Sequence, residues 1–80
     1  MPRYLLEHVH RAEECAATFS AFSGHDTPLR HQATIASCLY GGHAIWWDVV
    51  ASDEGDALRL LPFYVARRAV VTAISDVRIP

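Results

Sequence analysis

Polar and apolar residues alternate from Arg3 to His10. Tyr4, Leu6, His8 and His10 fall on one side of an extended chain, and Leu5, Glu7 and Val9 on the other. That period of two predicts a first strand. The period then lengthens. From Arg11 to Phe22 the residues Ala12, Cys15, Ala16, Phe19 and Phe22 recur at helical spacing, with Glu13 and Glu14 in a first turn where the helix dipole favours negative charge. Ser23-Gly24 closes this helix, glycine being suited to a left-handed cap.

His25 to Gln32 is polar and contains Pro28, which reads as a loop. A second strand is expected from Thr34 to Tyr40, and Gly41-Gly42 fits a two-residue hairpin turn. The third strand, His43 to Ala51, carries Trp46 and Trp47 on opposite faces, so it should be covered on both sides. Ser52 is placed to cap a second helix, with Asp53, Glu54 and Asp56 in its first turn. Ala57, Leu58, Leu60 and Leu61 form its apolar stripe, and Pro62 should end or kink it. Val, Ile and Thr from Ala69 to Ile79 predict a closing strand. The order βαββαβ implies one α+β domain of ferredoxin-like type, with a four-stranded antiparallel sheet and two helices on one face.

Length sharpens this picture. A chain of 80 residues makes one domain, and at this size only about 60% of the surface exposed on unfolding is buried. Yet 51% of the residues are hydrophobic and the mean hydropathy is +0.10. Self-association, giving a homodimer or higher homo-oligomer, is the simplest use for the excess apolar surface. A net charge of −2 and a pI near 6.2 lack the basic stripe of a nucleic-acid binder. All seven basic residues are arginine, a bias that a high-GC bacterial genome accounts for. No window reaches the roughly 18 apolar residues of a membrane span. Charged residues occupy the N-terminus where a signal peptide has its apolar region, so a cytoplasmic protein is expected.

The stretch from Gly41 to Val77 resembles the C-terminal half of muconolactone isomerase and its relatives in the dimeric α+β barrel superfamily. Gly41-Gly42-His43 opening a strand, Trp46-Trp47-Asp48-Val49-Val50 within it, Ser52-Asp53-Glu54 before a helix, Leu61-Pro62-Phe63 after it and the strand Val70 to Val77 carry the resemblance. It implies the fold and a dimer. It brings no catalytic residue with it, since relatives on this scaffold differ in activity.

Five histidines, His8, His10, His25, His31 and His43, lie in the first 43 residues and none follows. His8 and His10 share one strand face with Cβ atoms about 7 Å apart, close enough to clasp one ion. Imidazole suits zinc, nickel or copper. His43 is the expected third ligand, with Cys38, Glu7 or the pair His25-Asp26 as alternatives. A bare His-x-His pair also arises at half-exposed strand ends, and no recognised zinc spacing is present. Cys15 and Cys38 read as small buried hydrophobes, with no adjacent histidine or basic residue. His25-Asp26 with His31 suggests a base oriented by a carboxylate, although Asp26 equally fits a turn residue before Thr27-Pro28. Tyr4, Phe19, Trp46 and Trp47 can wall a cavity for a flat apolar ligand or simply pack. Asp48 in an apolar strand must be solvated, paired with Arg3, Arg67 or Arg68, or functional.

Two functions follow. One is a cofactor-independent isomerase, cyclase or monooxygenase acting on a small cyclic or aromatic compound, with His43 (or His8 or His10) as the proton carrier and Asp48 or Asp26 orienting it. The other is a dimeric metal-binding protein using His8, His10 and His43.

Overall fold

In the computed structural model, residues 1–80 are all described. The alternation at the N-terminus forms β1, Arg3–Val9, whose even-numbered residues are buried and whose odd-numbered residues face outward. β3, Ala44–Val50, runs antiparallel beside it, with Arg3 opposite Val50 and Val9 opposite Ala44. β4, Ala69–Ile74, flanks the other side of β1, with Arg3 opposite Ile74. A short β2, Ile35–Ala36, completes the edge beyond β3. The order is β2-β3-β1-β4 with every neighbour antiparallel. This is the ferredoxin-like α+β arrangement expected from the element order.

One face of the sheet carries the core. Tyr4 and Leu6 of β1 and Ile45, Trp47 and Val49 of β3 meet Ala57, Leu61 and Val65 of the helical layer. Leu6 and Ile45 are fully buried, so truncating either to alanine should cost about 2–5 kcal/mol. The helical layer is α1 (Cys15–Ser20), α2 (Glu54–Arg59) and α3 (Phe63–Ala66). Ala21 and Phe22, just after α1, pack on the same core.

Four boundaries differ from the sequence reading. The first helix begins as a 3₁₀ turn over Ala12–Glu14. The Glu14 carboxylate accepts the Arg11 backbone N–H at 3.0 Å, while Arg68 and Arg67 hold the same carboxylate from the other side. That anchoring tightens the turn, and α1 proper spans only Cys15–Ser20. The second helix is capped by Asp53, whose Oδ1 accepts the Asp56 N–H at 2.8 Å. The Ser52 hydroxyl donates instead to the Asp56 carboxylate. Pro62 interrupts the helix as expected, standing as the extended residue before α3, but the second strand, expected to reach Tyr40, stops at Ala36. The closing strand stops at Ile74.

The largest difference is at Gly41-Gly42. No two-residue hairpin forms; Cys38–Tyr40 makes a 3₁₀ turn and the loop runs on to His43. Ser37 is the reason. Its N–H donates to Ala44 O at 2.9 Å, its carbonyl accepts Gly42 N–H at 3.1 Å, and its hydroxyl accepts Ala44 N–H at 3.0 Å. Gly41 has φ 84 and His43 has φ 51, both in the left-handed region. Gly42 is packed so closely that an added Cβ would collide with the Ser37 hydroxyl.

Candidate metal centre

The β1–β3 ladder continues one rung beyond the strands. His10 N–H donates to His43 O at 3.1 Å, placing these two histidines opposite one another. Past His10 the chain turns through Arg11–Glu14 into α1, whose first residue is Cys15. Before His43 it runs through the loop opened by Cys38. Strand pairing therefore folds two chain corners together, His10 with Cys15 and Cys38 with His43. One ligand-capable atom from each of these four residues lies within 4.8 Å of all the others.

A tetrahedral site with metal–sulfur bonds of about 2.3 Å and metal–nitrogen bonds of about 2.0–2.1 Å has ligand–ligand edges of roughly 3.3–3.8 Å. Closing the group on one ion thus requires a contraction of at most about 1–1.5 Å. One edge is already short: Cys38 Sγ lies 3.8 Å from His10 Nε2. The ring centroids of His10 and His43 are 5.3 Å apart. The group can hold a metal ion.

His10 is 5% exposed, and its Nδ1 is buried with no hydrogen-bond partner; the same is true of His43 Nδ1. Burial of such nitrogens without a partner is costly. Desolvation, followed by the neighbouring His8 and His43, lowers the His10 pKa below the usual histidine value. A neutral imidazole is the form that binds metal. Burial, followed by hydrogen bonding to Cys15, raises the Cys38 thiol above its usual value.

His8, expected as a ligand beside His10, lies outside this group of four. Its ring is 5.3 Å from the His10 ring, but its Nδ1 is 2.9 Å from Val65 O. A carbonyl only accepts, so His8 carries its proton on Nδ1 and presents a bare Nε2, which is buried and unpartnered. Desolvation holds the His8 pKa low. Cys15, which the sequence presents only as a packing residue, and Cys38, which it also offers as an alternative ligand, both join the cluster and are only partly buried. The available signal was a mirrored spacing, His10-x4-Cys15 and Cys38-x4-His43.

The other candidates are dispersed. Asp48 faces outward from β3, where Arg3 Nε and Nη2 donate to its two oxygens at 2.8 and 2.6 Å. Arg3 holds its pKa below the usual carboxylate range. The sheet lies between it and the His43 cluster. Glu7 is also on the outer face and accepts the Trp46 indole N–H at 2.7 Å. His25 Nε2 donates to Arg59 O at 3.1 Å rather than pairing with Asp26. His31 is exposed, with φ 66.

Of the four expected ligand aromatics, Phe19 and Trp47 come together. With Phe22 they wall a cleft of about 310 Å³ whose lining includes Arg30 and His31. Phe19 also stands edge-on to His10 at 6.4 Å, joining the cleft to the histidine–cysteine group. Tyr4 is buried in the core, and Trp46 lines a separate groove on the outer face with Leu5 and Ile35. No helix is long and apolar enough to cross a membrane. No family model, no curated protein and no solved structure matches this chain.

Proposed function

We propose that this chain is a small metal-binding domain in which His10, Cys15, Cys38 and His43 hold one zinc ion. The observation that carries this reading is the mutual approach of four donor atoms to within 4.8 Å, with Cys38 Sγ already 3.8 Å from His10 Nε2. Two thiolates and two imidazoles at tetrahedral spacing favour zinc over nickel, which prefers square-planar or octahedral surroundings. A reducing cytoplasm, in which both cysteines stay as thiols, suits such a site. The ion cross-links the β1–α1 corner to the β2–β3 loop and supplies stability that a short chain lacks. Metal analysis of protein purified without a histidine tag should find one zinc per chain, falling to background in Cys38→Ala. Wild-type protein free of zinc, and unchanged in melting temperature when zinc is added, overturns the reading.

The cleft walled by Phe19, Phe22 and Trp47 favours a second reading, a cofactor-independent enzyme acting on a small cyclic or aromatic compound. Saturable quenching of Trp47 fluorescence by such compounds in a Trp46→Phe background tests it. Under either reading the partner is a second copy of the chain. Val9, Val50 and Val70 leave apolar surface on the outer sheet face, each more than half exposed. Sedimentation near twice 8.9 kDa is the expected result, and a stable monomer at micromolar concentration refutes it.

A further inference from the structure

We infer that Cys15 and Cys38 form an oxidation site: a peroxide converts the pair into a disulfide, and the centre they build loses its metal. The two thiols come from different corners of the chain, yet their sulfurs lie within 4.8 Å of each other. Both are free and partly accessible. Cys38 opens a surface loop whose next residues, Leu39 and Tyr40, are 95% and 91% exposed. A disulfide needs the sulfurs at about 2.05 Å, so one of them must move inward. Cys38 touches the edge of the core, but residues 39–42 after it are exposed and close through hydrogen bonds to Ser37, so this loop is the element that can shift.

The chemistry balances without another reagent. In the metal-free protein, hydrogen peroxide oxidises one thiol to a sulfenic acid and releases water. The second thiol attacks that sulfur, forming the S–S bond and releasing a second water. In the metal-bound protein the two thiolates together give up two electrons, the O–O bond takes them to leave two hydroxides, and the cation departs. The disulfide removes two of the four donors, leaving His10 and His43, which cannot close a tetrahedral site. Release of zinc depends on the function proposed above; formation of the disulfide does not.

The test uses the whole chain, metal-free and zinc-loaded, with one equivalent of hydrogen peroxide. Metal-free wild type should lose about 2 Da as two thiol hydrogens leave. Trypsin should then release residues 12–30 joined to residues 31–59, the fragments bounded by Arg11, Arg30 and Arg59. Zinc-loaded protein should release its ion to a chromogenic chelator in step with its own loss of about 2 Da, and a thiol reductant should restore binding. In Cys15→Ser and Cys38→Ser the remaining thiol should be trapped by a sulfenic-acid reagent, with no 2 Da loss. Disulfides only between chains, or over-oxidation to sulfinic acid without the joined peptide, overturns the inference. A joined peptide in protein that binds no zinc removes the metal reading and leaves the oxidation site standing. Zinc binding without any joined peptide does the reverse.

Discussion

On the outer face of the sheet Arg3 grips Asp48 and Asp76, and the Trp46 indole donates to Glu7. On the inner face His8, His10 and His43 each keep a buried ring nitrogen with no partner. Both faces put polar side chains on central strands, and both sets come from the same alternation. The outer groups complete one another and need nothing further. The inner groups are satisfied only in part, although burial makes the omission costly. A pairing that is already closed is an argument for architecture. A corner where two thiols and two imidazoles converge is an argument for a ligand, and this difference points to the histidine corner rather than to Asp48.

Metal titration breaks the comparison most sharply. At pH 7.5, zinc at about 100–1,000 times its dissociation constant should stabilise the fold by about 2.7–4.1 kcal/mol. Thermal unfolding should show that gain abolished in Cys38→Ala and largely retained in His8→Ala, since His8 stands outside the four. At pH 5.5 the gain should shrink, because protons compete for imidazole and thiolate. Full stabilisation in Cys38→Ala would move the site elsewhere.

A pH scan of metal-free protein has a smaller effect and separates the faces by where stability is lost. His8 and His10 have pKa values lowered in the folded state, so the unfolded chain takes up protons that the native state refuses. Their contribution is complete above the unfolded histidine value of about 6.5 and declines as pH falls below it, by at most about 1.4 kcal/mol per unit for each group. Asp48 has a depressed pKa, so its contribution persists until pH falls below the unfolded aspartate value of about 3.9. Denaturant unfolding should therefore weaken first between pH 6.5 and 5, and again only in strong acid. A flat profile from pH 7 to 5 would mean that the histidines are not desolvated.

Replacing Arg3 by Gln has the smallest expected effect. The Arg3–Asp48 pair is half-exposed, where ion pairs contribute little and are screened by salt. Its melting temperature should fall less than that of any histidine-cluster variant, and the difference should vanish in high salt. A loss that persists in high salt would show that the outer face is buried in the working assembly.

The strand pattern was legible because β1 alternates strictly and β3 is a short apolar run, and both Trp46 and Trp47 lie on the faces their positions imply. The turn between β2 and β3 was not, because Gly41-Gly42 suits a two-residue hairpin and the competing closure by Ser37 leaves no local mark. His10 and His43 were readable as candidate ligands. Cys15 was hidden, since its place at helical spacing with Ala12, Phe19 and Phe22 is also that of a packing residue. Only the β1–β3 register reveals that the His10–Cys15 and Cys38–His43 corners meet. Ser52 was read as the helix cap when Asp53 fills that place, a one-residue ambiguity where two good capping residues adjoin.

The rung from His10 N–H to His43 O is the last in its ladder, and ladder ends open most often. In kinetic terms the centre occupies the hinge of a zipper. An opening that separates these two backbones also separates the donors, so an ion held there would exchange through fraying on a timescale far shorter than that of global unfolding. The amide of His10 is then a natural clock for the site, while the amide of Leu6, deep in the same strand, keeps the time of the whole fold.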